Sequence, residues 1–233
     1  MRPILFEAFG LGFASAPIFA GLAALLAYWR FQKFRPELGI SDEDFWSLMA
    51  CLALGVMVGS VGFYALAYGG GLASNLALAR QASTITGGSF IGAWGGAILA
   101  AALFCAAKRR AFGPVADALG SAAPLGLVVM RFGCLLHACC HGRPTRLPCG
   151  IASTGAISVH PTQLYEAAGA LSIFFVIERL VRPRLLAGEL NPGDGLTASV
   201  GLYGALRFTV DFTRAGDPGL IAPLGLTLAQ WMG

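Results

Sequence analysis

Ser89–Ala107 reads SFIGAWGGAILAAALFCAA, nineteen residues without a charge, and Lys108-Arg109-Arg110 follows at once. A bilayer core about 30 Å thick asks for about 20 apolar residues in a helix, and this run meets that length. Gly88, Gly92 and Gly96 recur every fourth residue along it, as Gly55 and Gly59 do earlier. Small residues at that spacing let membrane helices approach closely. Working outward, comparable apolar segments lie at Leu5–Tyr28, Phe45–Tyr68, Val115–His137, Pro161–Val181, Gly195–Thr213 and Leu220–Gly233. Ala14-Ser15-Ala16 resembles a signal-peptide cleavage site, but Pro17 and the hydrophobicity continuing to Tyr28 predict that the first segment is retained as a span. The expected fold is all-α: a polytopic membrane protein of about seven transmembrane helices, with residues 1–233 forming a single transmembrane helical domain.

The composition of the 233-residue chain agrees. Hydrophobic residues make up 56% and charged residues 12%, against about 25% charged in an average soluble domain, and mean hydropathy is +0.70. A soluble domain so poor in charge could not cover its surface, and disorder requires the opposite balance. The net charge of +4 does not point to nucleic acid, because no Lys/Arg-rich run with interleaved aromatics exists.

The basic residues instead set orientation. Arg30, Lys33 and Arg35 follow span one, Lys108, Arg109 and Arg110 follow span three, and Arg179, Arg182 and Arg184 follow span five. The alternate loops hold only Arg80, Arg143 with Arg146, and Arg214. Short loops rich in Lys and Arg stay in the cytoplasm, which predicts an N terminus outside and a C terminus inside.

With that topology the unusual polar segments gather toward the outer side: Gln81–Ser89, Arg131 with His137–Arg143, His160–Glu166, and Tyr203–Arg214. Ionisable residues within a membrane are costly and mark function by default. Tyr203, Arg207, Asp211 and Arg214 share one helical face. Asp211 either neutralises Arg207 as an i,i+4 pair or helps it bind an anionic headgroup, for which a guanidinium fork suits phosphate oxygens. His160-Pro161 reads as a helix start, with Gln163 and Glu166 continuing its polar stripe. Arg131 lies too deep to reach the interface and is expected to pair with Glu166 or a ligand phosphate.

These residues carry a resemblance. His160-Pro161-Thr162-Gln163-Leu164-Tyr165-Glu166 resembles the HPxQLYE motif of the prolipoprotein diacylglyceryl transferase family. Tyr203-Gly204-Ala205-Leu206-Arg207-Phe208, continuing to Asp211, Phe212 and Arg214, resembles its YGxxRFxxEFxR segment. Asp117, Ala123–Gly126, Arg131-Phe132-Gly133 and Gly142-Arg143 resemble the frame of its signature, and Gly87–Phe90 resembles its third-span entry. The resemblance implies a multi-pass enzyme of the bacterial cytoplasmic (inner) membrane, transferring diacylglyceryl from phosphatidylglycerol to the lipobox cysteine of a lipoprotein precursor. Read with the charge pattern, Arg131, Arg143 and Arg207, with Tyr203, Gln163 and Asp211, are expected to hold the phospholipid, and His160, or one of His137 and His141, to act as base beside Arg207 and Glu166. Some family positions differ. Ile91 stands where the family has a histidine, Ser60 where it has an arginine, and Cys134, His137 and Cys139 where its signature has two asparagines and a glutamate.

Of six cysteines, Cys134, Cys139, Cys140 and Cys149 crowd the outer end of span four. Three readings are open. Cys149 could bridge to Cys139 or Cys140, since the outer side permits disulfides. If the helix persists to His141, then Cys134, His137 and His141 share a face and, with Cys139 and Cys140, offer soft ligands suited to zinc or copper; no other cofactor is expected. Or a histidine here is the base, with a cysteine as thiolate or redox partner. The expected function is diacylglyceryl transfer to a thiol. For that transfer the acceptor is the lipobox cysteine or another thiol; the alternative is a relative that keeps the lipid pocket and uses the Cys/His cluster for metal binding or thiol–disulfide chemistry rather than lipoprotein modification.

Overall fold

The computed structural model describes residues 4–8, 11–68, 89–152, 157–215 and 230. These residues are mostly helical. Helices α1 (Ser15–Gln32), α2 (Arg35–Leu38), α3 (Asp42–Tyr68), α4 (Phe90–Ala107) and α5 (Phe112–Leu136) lead to a short hairpin of β3 (Ile151–Ala152) and β4 (Ser158–Val159). After it come α6 (Thr162–Val176), α7 (Arg182–Leu186) and α8 (Asp194–Asp211). An N-terminal antiparallel hairpin of β1 (Ile4–Ala8) and β2 (Leu11–Ala14) precedes α1. The first span was expected to start at Leu5, and this hairpin corrects it. Glycines disfavour a helix, and Gly10-Leu11-Gly12 interrupts the apolar run just before α1 begins.

Two compact units make up the chain: Phe34–Leu119, and Met1–Lys33 with Gly120–Gly233. In the first, α3 and α4 pack through the glycines that the sequence pattern singled out. A methyl group on Gly55 would strike the Gly96 carbonyl, and one on Gly59 the Gly92 carbonyl. Close backbone approach is what that spacing serves. At one end of the pair Asp44, in the first turn of α3, takes Lys108 at 2.7 Å and Arg110 at 3.5 Å, so part of the basic loop after α4 is neutralised.

The distribution of side chains is that of a membrane protein. Leu54, Val58 and Leu66 on α3, Leu99 and Leu103 on α4, and Leu25 on α1 are all more than half exposed, whereas Thr162, Gln163 and Glu166 are at most 1% exposed. Water would reverse that arrangement, because large exposed apolar faces need a partner and buried charge is costly. Among the described residues, three helical stretches are long and apolar enough to cross a bilayer: Asp42–Leu66, Phe90–Ala107 and Phe112–Leu136. The segment expected at Pro161–Val181 is helical from Thr162 through Leu186, widened by one π turn at Ile177–Val181. Pro183 explains the widening. It has no N–H to donate back along the helix, and the Arg182 N–H bonds to the Ile177 carbonyl five residues earlier. Within that turn Glu178 accepts the Ser121 hydroxyl at 2.6 Å and pairs with Arg30. The last expected segment, Leu220–Gly233, lies outside the described residues apart from Gln230, as do Arg80 and the stretch from Gln81 to Gly88.

Candidate active site

The site is built where α5 ends, α6 begins and α8 passes. Arg131 projects from α5, Glu166 from α6, and Tyr203, Arg207 and Asp211 from one face of α8, all of them buried. Glu166 is the hub. Its Oε1 accepts Arg207 Nη1 at 2.8 Å and Arg214 Nη1 at 3.3 Å, and its Oε2 pairs with Arg131. Arg207 is forked between two carboxylates, because its Nη2 lies 3.0 Å from Asp211 Oδ1. Arg214 Nε reaches the same oxygen more loosely, at 3.9 Å. Among the described residues, three guanidinium groups therefore meet two carboxylates. For Arg214, burial works against ionisation, but the Cys140 and Glu166 charges outweigh it and hold the group above its ordinary pKa.

The end of α5 determines where the cysteines go. The Cys139 N–H bonds to the Cys134 carbonyl and the Ala138 N–H to the Leu135 carbonyl, the paired bonds of a Schellman cap with Ala138 in the left-handed position. That position is usually glycine, yet Ala138 occupies it at φ 59°, and Cys140 repeats the conformation at φ 59°. This cap folds Cys139 back onto Cys134. The Sγ atoms of Cys134, Cys139 and Cys140 all lie within 4.8 Å of one another. Bonds from Cys134 and Cys139, with attraction from Arg131 and Arg214, hold the Cys140 thiol well below its usual range against the effect of burial; its partner Cys139 is pushed up.

The first turn of α6 clamps this loop. Thr162 Oγ1 donates to the Cys140 carbonyl and Gln163 Nε2 to the Cys139 carbonyl, both at 2.6 Å. Beyond Cys140 the chain runs between two neighbours. Gly142 N–H bonds to the His160 carbonyl, and Arg143 N–H to the Thr213 carbonyl. A methyl group on Gly142 would sit 2.5 Å from His160 Cβ and 2.6 Å from the Thr213 carbonyl oxygen, so only glycine fits. Arg143 is exposed, and its Nε donates to the Arg214 carbonyl at 2.9 Å. His160 Nδ1 lies 3.2 Å from the Tyr165 hydroxyl, which lies 3.3 Å from Cys149 Sγ.

The structure thus brings together Arg131, Glu166, Arg207 and Asp211; Arg214, expected on the same helical face, instead lies past the end of α8, bridged to Gly142, and reaches Glu166 from there. Gln163 and Thr162 are engaged with the cysteine loop. The metal set expected from a helix running to His141 is corrected: α5 ends at Leu136, so Cys134, His137 and His141 share no helical face. His137 is exposed and His141 lies 3.5 Å from the Gly142 carbonyl, whereas the three sulfurs converge. The bridge from Cys149 to Cys139 or Cys140 is not formed; all six cysteines are free thiols. Ile91 and Ser60 belong to the other unit. Tyr165 was passed over in the sequence reading, although it lies within the quoted HPxQLYE-like string. Its role depends on the hairpin that returns Cys149 to the start of α6.

A profile of the prolipoprotein diacylglyceryl transferase family matches residues 2–233. A phosphatidylglycerol–prolipoprotein diacylglyceryl transferase of Cereibacter sphaeroides is 33% identical over 259 aligned residues, spanning 97% of this chain and 86% of that protein. One so named from Azoarcus sp. is 31% identical, spanning 91% of this chain and 83% of that protein. The same-named protein of another Cereibacter sphaeroides strain is 36% identical over 150 residues, 59% of this chain and 50% of its own length.

Proposed function

The chain belongs to the prolipoprotein diacylglyceryl transferase family, and on that premise we propose that it transfers the diacylglyceryl group of phosphatidylglycerol to the thiol of a lipoprotein precursor. The observation that carries this reading is the convergence of Arg131, Arg207 and Arg214 on the buried Glu166. Among the described residues these three arginines meet two carboxylates, a gathering of positive charge suited to an anion. A phospholipid phosphate is such an anion, and its oxygens suit guanidinium forks.

The reaction joins the acceptor sulfur to a glyceryl carbon. The carbon–oxygen bond to phosphate breaks, its electron pair stays on that oxygen, and glycerol phosphate leaves. Arg131, Arg207 and Arg214 serve the departing phosphate, where preorganised donors are worth most, and Arg143 stands at the loop above them. Glu166 and Asp211 orient the guanidinium groups. The thiol must lose its proton before it attacks. His160 is favoured as acceptor of that proton over His137 and His141, because Tyr165 holds its ring.

The same reading places the chain in the bacterial cytoplasmic membrane with seven spans, the N terminus outside and the C terminus inside. The alternation of basic loops supports it.

The experiment is transfer in phosphatidylglycerol vesicles onto a synthetic lipobox peptide. The peptide should gain the mass of a diacylglyceryl group while one glycerol phosphate appears per product. Absence of product with folded, inserted protein would end this reading.

A further inference from the structure

We infer that Cys134, Cys139 and Cys140 hold a thiophilic divalent cation, zinc, with one coordination position left for the acceptor thiol. The inference rests on the transferase reading for its purpose and on the thiol cluster for its geometry. Three sulfurs within 4.8 Å of one another need only small side-chain rotations to ligate one ion. Zinc–sulfur bonds of about 2.3 Å place tetrahedral ligands about 3.8 Å apart.

The backbone is arranged for this convergence. A helix can end on glycine without strain, yet here two non-glycine residues, Ala138 and Cys140, take left-handed φ of 59° in three residues. Such conformations persist where surrounding contacts over-determine them, and they cluster at functional sites. Those contacts come from α6, whose Thr162 and Gln163 side chains each bond a carbonyl of the cysteine pair at 2.6 Å.

The ligand set selects the ion, because soft thiolate donors suit zinc. Three protein ligands, not four, is the pattern of a zinc site that keeps a position open.

The open position suits the chemistry. A thiol bound to a divalent cation gives up its proton outright, here to His160, the base assigned above. The bound sulfur then forms its bond to the glyceryl carbon while the carbon–oxygen bond to phosphate breaks and the electron pair leaves on phosphate.

The test uses the full chain in phosphatidylglycerol nanodiscs, reduced and anaerobic, incubated with zinc sulfate and desalted. Elemental analysis should find close to one zinc per chain in the wild type and in Cys149→Ser and Cys51→Ser, and less than a tenth of that in the triple Cys134→Ser, Cys139→Ser, Cys140→Ser variant. Zinc should also protect these three thiols of the wild type from alkylation, a readout that needs no variant. X-ray absorption should show three sulfur neighbours, and a fourth once a cysteine-containing lipobox peptide is added. No retained zinc, zinc retained by the triple variant, binding of copper(I) in place of zinc, or no fourth sulfur with the peptide would each overturn the inference. Diacylglyceryl transfer measured alongside separates the two readings. Equal transfer with and without zinc refutes the metal's role alone, whereas a zinc site that gains the fourth sulfur without any transfer refutes the transferase reading alone.

Discussion

Arg207→Lys is the perturbation on which the lipid assignment turns. The guanidinium spans two carboxylates, with Nη1 2.8 Å from Glu166 and Nη2 3.0 Å from Asp211, while its charge adds to the gathering of positive charge suited to a phosphate. Lysine keeps that charge, but a single ammonium on a flexible stem cannot reproduce the planar two-sided fork. One charge-assisted hydrogen bond is lost, worth about 1.5–3 kcal/mol. If that loss falls on the transition state, it corresponds to about a 10- to 150-fold fall in kcat/KM, at 1.36 kcal/mol per decade. The assay is transfer from phosphatidylglycerol to a lipobox peptide at matched membrane abundance, with thermal unfolding in detergent as the control for folding. The variant should insert and still unfold cooperatively, at a somewhat lowered temperature, while losing most of its turnover. Wild-type turnover in Arg207→Lys would refute the reasoning. So would wild-type turnover in the double variant Arg207→Leu with Asp211→Leu, since either would show that Arg207 serves the fold and not the phospholipid.

Three further outcomes are expected. Gly142→Ala forces a methyl group against His160 Cβ and the Thr213 carbonyl; it should destabilise the protein by about 1–3 kcal/mol, read as a lowered melting temperature, and an unchanged temperature would contradict the tight crossing at this strand. Ala138→Gly relieves the left-handed strain at the end of α5 and should raise stability by about 1 kcal/mol, so a loss of stability would show that the cap is not formed as described. Reporters active only outside the cytoplasm should work when fused after Arg80 or between Arg146 and Val159 and fail after Arg110 or Arg184; the reverse pattern would place the polar cluster on the cytoplasmic face.

Much of the protein was legible in its residues taken in order. Apolar runs of bilayer length and glycines every fourth residue are local patterns, and local patterns report helices and their close-packed faces. That is why α3, α4 and α5 lie near where they were expected, and the structure shows that Gly55 and Gly59 meet Gly92 and Gly96. The face of Tyr203, Arg207 and Asp211 follows from helical periodicity alone, whereas Arg214, expected on it, lies past the end of α8; a buried glutamate and arginine in so apolar a chain had to find partners.

What periodicity does not contain is how a helix ends and what returns to it from afar. The hairpin at Ile4–Ala14 replaced a helical start because a hydrophobic count is blind to strand pairing. The metal face drawn through His137 and His141 required two further helical residues after Leu136, and the Schellman cap with Ala138 in the left-handed region ended the helix first. The same cap, held by Thr162 and Gln163 from α6, turned Cys139 and Cys140 back toward Cys134. Residues 22 to 24 positions apart in sequence settled that geometry. Sequence alone therefore determined that the chain lives in a membrane and which side chains carry charge there. Only the tertiary structure decided that Glu166 gathers three arginines and that three thiols meet, because both depend on helix ends and loops whose contacts are distant along the chain.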